Sequence, residues 1–263
     1  VSKALSSQFI QSLLEEFTPP DAIGLGLVGS FSRGKGGPFS DVDLDIFVSQ
    51  MPNTKPERYN LHQRSGHLVS MKKIGLEAQR AELRQPETAI WAVPGLREMQ
   101  ILHDPHGKLA GLKAEAEEFD WAGLEAAANS FVSYDFHTCT EEVYKLLGGL
   151  KAHDPSKVMY ATLGLGLGLA ETMAVHKRLL VESENRYFDL LYTAVGKESP
   201  WSRAHRLAVG WRAGAFERRG IAALQLYWES FVEFKEVIAE EHLGVIQPAL
   251  VALQESGHLA RRV

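Results

Sequence analysis

Residues Gly29-Ser30, a ten-residue interval from Phe31 to Ser40, and then Asp41-Val42-Asp43 carry the residue types and the spacing that could do chemistry in this sequence. Carboxylates two residues apart on a strand project from the same face. Side by side they repel, and each raises the other's pKa unless a cation neutralises them. Hard oxygen ligands of this kind suit Mg²⁺, which is held by one or two carboxylates together with substrate phosphate oxygens. Upstream, Gly29 lacks the Cβ that would block a close approach, and Ser30 offers a hydroxyl and a backbone amide to a phosphate. A phosphate cradle beside a metal-binding carboxylate pair is the equipment of metal-assisted phosphoryl or nucleotidyl transfer.

The same stretch touches two other phosphate-handling patterns, and context separates them. Gly24, Gly26 and Gly29 spell G-x-G-x-x-G, with Asp43 about twenty residues past the first glycine. A dinucleotide site needs a strand before the first glycine and a helix after the last. Thr18-Pro19-Pro20-Asp21 leaves no room for that strand. Gly29 through Gly34-Lys35 approaches a Walker A motif, but Gly36 stands where Ser or Thr should bind magnesium. The following Gly36-Gly37-Pro38 forbids the helix that motif requires. The Gly-Ser/Asp-x-Asp reading alone agrees with its surroundings.

Several elements must position these residues. Leu5, Phe9, Leu13 and Phe17 recur at four-residue spacing and predict an amphipathic helix over 5–17, stopped by Pro19-Pro20. Ile23–Val28 reads as a buried strand, and Val42–Val48 alternates apolar and acidic residues as a second. Asp45 shares the face of Asp41 and Asp43. It stands roughly 13 Å from Asp41, so it reads as a buried or partnered polar group rather than a third ligand. His67–Ile74 and Met99–His103 are further strand candidates, and Leu76–Arg84 a helix. From Trp121 strand signals fade into a bundle of roughly five helices, with breaks near 153–155, 196–200, 219–220 and 247–248. Ser156 and Ser199 are candidate N-caps, the latter followed by Pro200 at the first helical position. The chain thus divides into residues 1–119 and 120–263.

Composition narrows the function. The 263 residues include 28 Lys+Arg, 33 Asp+Glu and 45% hydrophobic types, for a net charge of −5. That balance disfavours gripping long nucleic acid, which needs a basic face. A single cysteine, Cys139, excludes a disulfide framework or multi-thiolate zinc site and suits a reduced, cytoplasmic setting; it reads as a core residue. The opening run Val1–Phe17 mixes Lys3, Gln8, Gln11, Glu15 and Glu16 into its apolar residues, unlike a secretory signal. Val158–Val175, with its Leu-Gly alternation, is short of a membrane span and is interrupted by Glu171; it reads as a buried helix.

Gly29-Ser30 followed by Ser40-Asp41-Val42-Asp43-Leu44 resembles the core motif of the nucleotidyltransferase superfamily that includes DNA polymerase beta. The arrangement is most similar to small antibiotic-modifying enzymes such as the kanamycin, streptomycin and lincosamide nucleotidyltransferases. The resemblance implies an α/β (α+β) fold, with an N-terminal nucleotidyltransferase mixed-sheet domain followed by a C-terminal helical bundle. It implies transfer of a nucleoside monophosphate from an NTP, ATP first among them, to a hydroxyl of a small acceptor, with release of pyrophosphate. Gly29 and Ser30 would hold the terminal phosphates, and Asp41 and Asp43 would ligate two Mg²⁺ ions.

The family supplies a third carboxylate from a later strand, and His67–Ile74, where that strand should be, contains no acid. Glu77 is the nearest candidate, and equally a helix N-terminal acid. A helical-domain residue or a homodimer partner are the other sources, unless the third acid is absent altogether. Arg33 is placed either to touch a phosphate or to lie in a solvated loop. Lys177 is the candidate for the family's helical-domain cation, against a plain helix-end charge. Tyr187 and Trp201 either stack on a base or fill the core, and His103-Asp104-Pro105-His106 reads as a turn rather than a metal pair. A protein acceptor and a catalytically silent nucleotide-binding protein are the rival functions.

Overall fold

The computed structural model describes residues 5–259; Val1–Ala4, with Lys3 of the opening polar run, and Ala260–Val263 lie outside the described residues. The chain divides into two compact units, Val1–Asp120 and Trp121–Val263. In chain order the first contains α1 (Ser7–Phe17), β1 (Ala22–Val28), α2 (Gly29–Ser32), β2 (Val42–Val48), α3 (Lys55–Arg58), β3 (Tyr59–Arg64), β4 (His67–Gly75), α4 (Leu76–Glu82), α5 (Pro86–Glu98), β5 (Gln100–His103) and α6 (Lys108–Glu117). The strands form a mixed five-stranded sheet in the order β3-β4-β2-β1-β5. β2 pairs parallel with β4, and the remaining neighbours are antiparallel.

Alternation along β2 sorts the sheet into two faces. Val42, Leu44, Ile46 and Val48 are buried with Leu25, Leu27 and Val69 on the face that also packs Leu13 and Phe17 of α1. Asp43 and Asp45 project from the other face. There Phe47 is fully buried, and a Cβ on Gly26 would stand 2.3 Å from Met99 Sδ. A Cβ on Gly24 would meet Leu109 of α6 at 2.6 Å. The first two glycines of the G-x-G-x-x-G pattern therefore serve close packing over β1, not a dinucleotide.

β3 and α5 were not expected from the sequence. β3 is the polar edge strand, too weakly alternating to declare itself, and α5 carries Pro94 inside it. Asp104 of the His103–His106 segment caps α6, its carboxylate accepting from the amides of Lys108 (2.8 Å) and Ala110 (2.9 Å), as a turn requires.

The second unit is helical: α7 (Glu125–Thr138), α8 (Thr140–Ala152), α9 (Pro155–His176), α10 (Tyr187–Val195), α11 (Pro200–Ala208), α12 (Phe216–Phe234) and α13 (Glu240–Glu255). These are seven α-helices among the described residues, where about five were expected. The foreseen breaks at 219–220 and 247–248 do not occur: Gly220 lies inside α12, against Val158, and Pro248 lies inside α13. Asp154, not Ser156, caps α9 by accepting from the Lys157 amide at 3.1 Å, while Ser199 caps α11 as expected. α9 runs 22 residues with a mean hydropathy of 1.4, which makes it long and apolar enough to cross a membrane. Its apolar positions, from Val158 to Met173, are instead largely buried within the unit.

Trp201 also belongs to this core, its indole N–H donating to Ser230 Oγ at 2.8 Å, and Cys139 is buried with its thiol pKa pushed up by burial. His205 stacks on Trp201 and lies 3.0 Å from the Gly166 carbonyl through Nε2 and 2.8 Å from the Tyr192 hydroxyl through Nδ1. The carbonyl can only accept, so Nε2 carries the proton and Nδ1 accepts from tyrosine. Burial lowers its pKa to about 4. Above the unfolded value near 6.5 the ring is neutral in both states and stability is complete. As pH falls towards 4 the unfolded chain takes up a proton that the folded one refuses, at a cost reaching about 3 kcal/mol. The His205 ring should therefore show no NMR titration between pH 8 and pH 5; a midpoint near 6.5 would contradict this packing.

Candidate active site

The carboxylate pair is positioned by the turn that precedes it. Gly29 has φ +71°, a conformation that side chains resist, and a Cβ there would stand 2.1 Å from Asp43 Oδ2. The backbone at residue 29 and the Asp43 carboxylate therefore share one close contact that any other residue would destroy. Phe31 anchors the turn in the core beneath, Ser32 Oγ donates to the Gly29 carbonyl at 2.9 Å, and Gln100 donates to the Ser32 carbonyl at 2.6 Å. Ser30 Oγ is buried and finds no hydrogen-bond partner among the described residues. A buried hydroxyl left in that state costs free energy, which a ligand oxygen would recover.

Asp41 stands immediately before β2, so strand alternation puts it on the same face as Asp43. The preceding chain is fixed by a tight turn in which Ser40 N donates to the Gly37 carbonyl and Gly37 N donates to Ser40 Oγ. Asp45 follows on that face, opposite Gly26 on β1 and Lys72 on β4. Its carboxyl pKa is raised to about 7, first by loss of solvent and then by the charges of Asp43 and Glu82, against the pull of Lys72. Asp45 is thus a polar group whose loss of solvent outweighs the pull of Lys72.

Parallel pairing of β2 with β4 decides where a third carboxylate could stand. Asp43 faces Ser70, Asp45 faces Lys72, and Val48 faces Gly75. Glu77, expected as the third acid, follows Gly75 in the first turn of α4. It therefore lies beyond the opposite end of the strand, about 16 Å along β2 from Asp43. Its side chain is 76% exposed and paired with Arg80. The register excludes Glu77 from a site with Asp41 and Asp43; Ser70 occupies the neighbouring-strand position.

Two expected cations are already engaged. Arg33 pairs with Glu98 at 3.2 Å. Lys177, the C-cap of α9 in the helical unit, pairs with Glu233 at 2.7 Å. Tyr187 opens α10, its ring 5.3 Å from that of Phe188. Gly29, Ser30, Asp41 and Asp43 are the expected residues that the fold brings together. Ser70, Lys72 and Glu98 were missed, since each acquires its role through sheet pairing or a long-range contact that no local pattern announces.

No group of three or more His, Cys, Asp or Glu side chains among the described residues could hold a metal ion. Asp41 and Asp43 offer two carboxylates, a donor set that would fit a divalent ion completing its shell with phosphate oxygens and water.

Gly29→Ala tests this geometry against Gly34→Ala. Both glycines have positive φ, but nothing lies within 4 Å of a Cβ at Gly34. Gly34→Ala should cost about 1 kcal/mol of stability, and leave Mg²⁺·ATP binding unchanged. Gly29→Ala should weaken that binding about tenfold or more as well, because the methyl displaces Asp43. Equal behaviour of the two variants in calorimetric titration would refute the contact.

No curated protein matches the chain in sequence. Among solved structures, a nucleotidyltransferase-like protein from Exiguobacterium sibiricum 255-15 is similar at 14% identity and a TM-score of 0.49, covering 94% of this chain and 88% of that one. Residues 6–106 match the family model of the nucleotidyltransferase domain, a span holding the whole sheet, the Gly29-Ser30 turn and the carboxylate pair. The chain is a transferase that carries a nucleotidyltransferase domain in its N-terminal unit.

Proposed function

We propose that this chain transfers a nucleoside monophosphate from an NTP, ATP first among them, to a hydroxyl of a small acceptor of the aminoglycoside or lincosamide kind. The observation that carries the reading is the contact of the Gly29 backbone with the Asp43 carboxylate, beside the unsatisfied Ser30 hydroxyl. In this reading Ser30 Oγ and the backbone at Gly29 bind the terminal phosphates. Asp41 and Asp43 hold Mg²⁺, which when bound offsets the triphosphate's charge and favours in-line attack. The turn fixes the phosphate chain relative to the carboxylates, so the acceptor meets one face of the α-phosphorus. The acceptor oxygen forms a bond to that phosphorus, the bond to the β-phosphate's bridging oxygen breaks, and pyrophosphate leaves as the hydroxyl proton is lost to solvent or base.

Arg33 and Lys177 are given no phosphate role in this reading, because each is already paired with a glutamate. The net charge of −5 supports a cationic acceptor.

The test is transfer of label from α-labelled ATP to a panel of aminoglycosides and lincosamides, with pyrophosphate release followed in parallel. Asp41→Asn and Asp43→Asn should each lower pyrophosphate release by roughly 100-fold or more. Glu77→Gln should leave it within about twofold, since an exposed helix-end acid contributes little. ATP binding without pyrophosphate release under any acceptor would overturn transfer in favour of a silent nucleotide-binding domain. A large loss in Glu77→Gln would overturn the register argument.

A further inference from the structure

The face of the sheet that carries the acids continues past them onto β4 and β3. β2 pairs with β4 and β4 with β3, so Asp43, Ser70 and Leu61 form one row across the sheet. Val69 partners both Val42 and His62, and the His62 ring lies 5.0 Å from that of Phe17, on the α1 side. Leu61, next to His62, therefore projects from the opposite face, with Asp43. Leu68 pairs with Gln63 and precedes Val69, which stands beside Val42; Leu68 thus lies beside Asp41. Strand spacing puts Ser70 about 5 Å and Leu61 about 10 Å from Asp43, backbone to backbone.

This part of the face is open and apolar. Leu68 is 43% exposed, Leu61 48%, and Tyr59, two residues before Leu61 on the same face, 50%. The three follow one another diagonally across the β4–β3 pair. The other side of the same strands is covered, with Val69 buried and Met71 packed against the core under α1. Over β1 the acid-bearing face is covered too, by Met99 at Gly26 and Leu109 at Gly24. Single exposed apolar residues are ordinary, but a contiguous group beside a polar site marks a binding surface. The reaction geometry says what would lie there. Gly29 follows Val28, the β1 partner of Asp43, so the glycine turn lies on the β1 side of the acids. With pyrophosphate leaving towards that turn, in-line attack on the α-phosphorus comes from the opposite side, over β4 and β3.

We propose that the acceptor binds on this shelf and is amphiphilic: a hydroxyl that reaches the carboxylate pair, joined to an apolar group that lies on Leu68 and Leu61. The proposal rests on the transfer reading above and narrows its acceptor. A sugar that bears an alkylated ring, of the lincosamide kind, fits the shelf; a polycationic aminoglycoside has no apolar body to place there.

Hexyl and methyl β-D-glucopyranoside, which differ only in the alkyl chain, test the shelf by calorimetric titration of the whole chain loaded with Mg²⁺ and α,β-methylene-ATP. The hexyl compound should bind about tenfold more tightly or better. Leu61→Ser together with Leu68→Ser should abolish that preference and leave binding of the ATP analogue unchanged, since both side chains are exposed and neither lies in the glycine turn. Leu167→Ser, at an exposed leucine of α9, should leave the preference intact. Equal binding of the two glucosides, no binding of the hexyl compound at millimolar concentration, or a preference that survives the double variant or is lost in Leu167→Ser would overturn the shelf. Loading with the ATP analogue is read first and separately. A chain that takes the analogue but does not discriminate the glucosides keeps the transfer reading and loses the shelf, whereas a chain that takes no analogue loses both.

Discussion

Asp43 holds its place because residue 29 has no side chain. The carboxylate oxygen fills the space that a Cβ would take, so the Gly29 turn and the acidic strand approach more closely than two ordinary residues allow. The features around it serve that contact. Phe31 pins the turn in the core, the Gly37–Ser40 turn returns the chain to Asp41, and β2 aligns the acids on one face. In the proposed reading, a divalent ion with a triphosphate is what the buried Ser30 hydroxyl and the acid pair would jointly accommodate.

The acids along β2 divide their work by environment. Asp43 meets the glycine turn, whereas Asp45, two residues on, sits between strands that bring Gly26 and Lys72 to either side. Loss of solvent raises the Asp45 carboxyl to about 7, and Lys72 tempers that rise. The same strand thus carries an acid against the glycine turn and another across the sheet from Lys72. Only the parallel partner strand distinguishes them.

Much of this site was legible in the sequence because it is local. The Gly-Ser turn, the ten-residue interval and the alternation of Val42 to Val48 determine which residues converge, and the nucleotidyltransferase domain over residues 6–106 agrees with that motif. Pairing was not legible. Glu77 looked like the nearest acid in the chain, yet a parallel register carries it to the far end of the strand, and Ser70 stands where an acid was sought. The helices went wrong for a related reason. Gly220 and Pro248 read as local breakers, but packing on Val158 retains the first inside α12, and α13 runs on through the second. Arg33 and Lys177 looked free in sequence, and their glutamate partners lie 65 and 56 residues away.

In the proposed reading, the turn and the carboxylates form a single site for a triphosphate and a divalent ion. Electron paramagnetic resonance of Mn²⁺ tests it most directly, titrating the ion into wild type and Asp43→Asn with and without a non-hydrolysable NTP analogue. The wild type should take up Mn²⁺ tightly only with the nucleotide present, and Asp43→Asn should lose that uptake. Mn²⁺ binding that is indifferent to the nucleotide, or undiminished in Asp43→Asn, would contradict it.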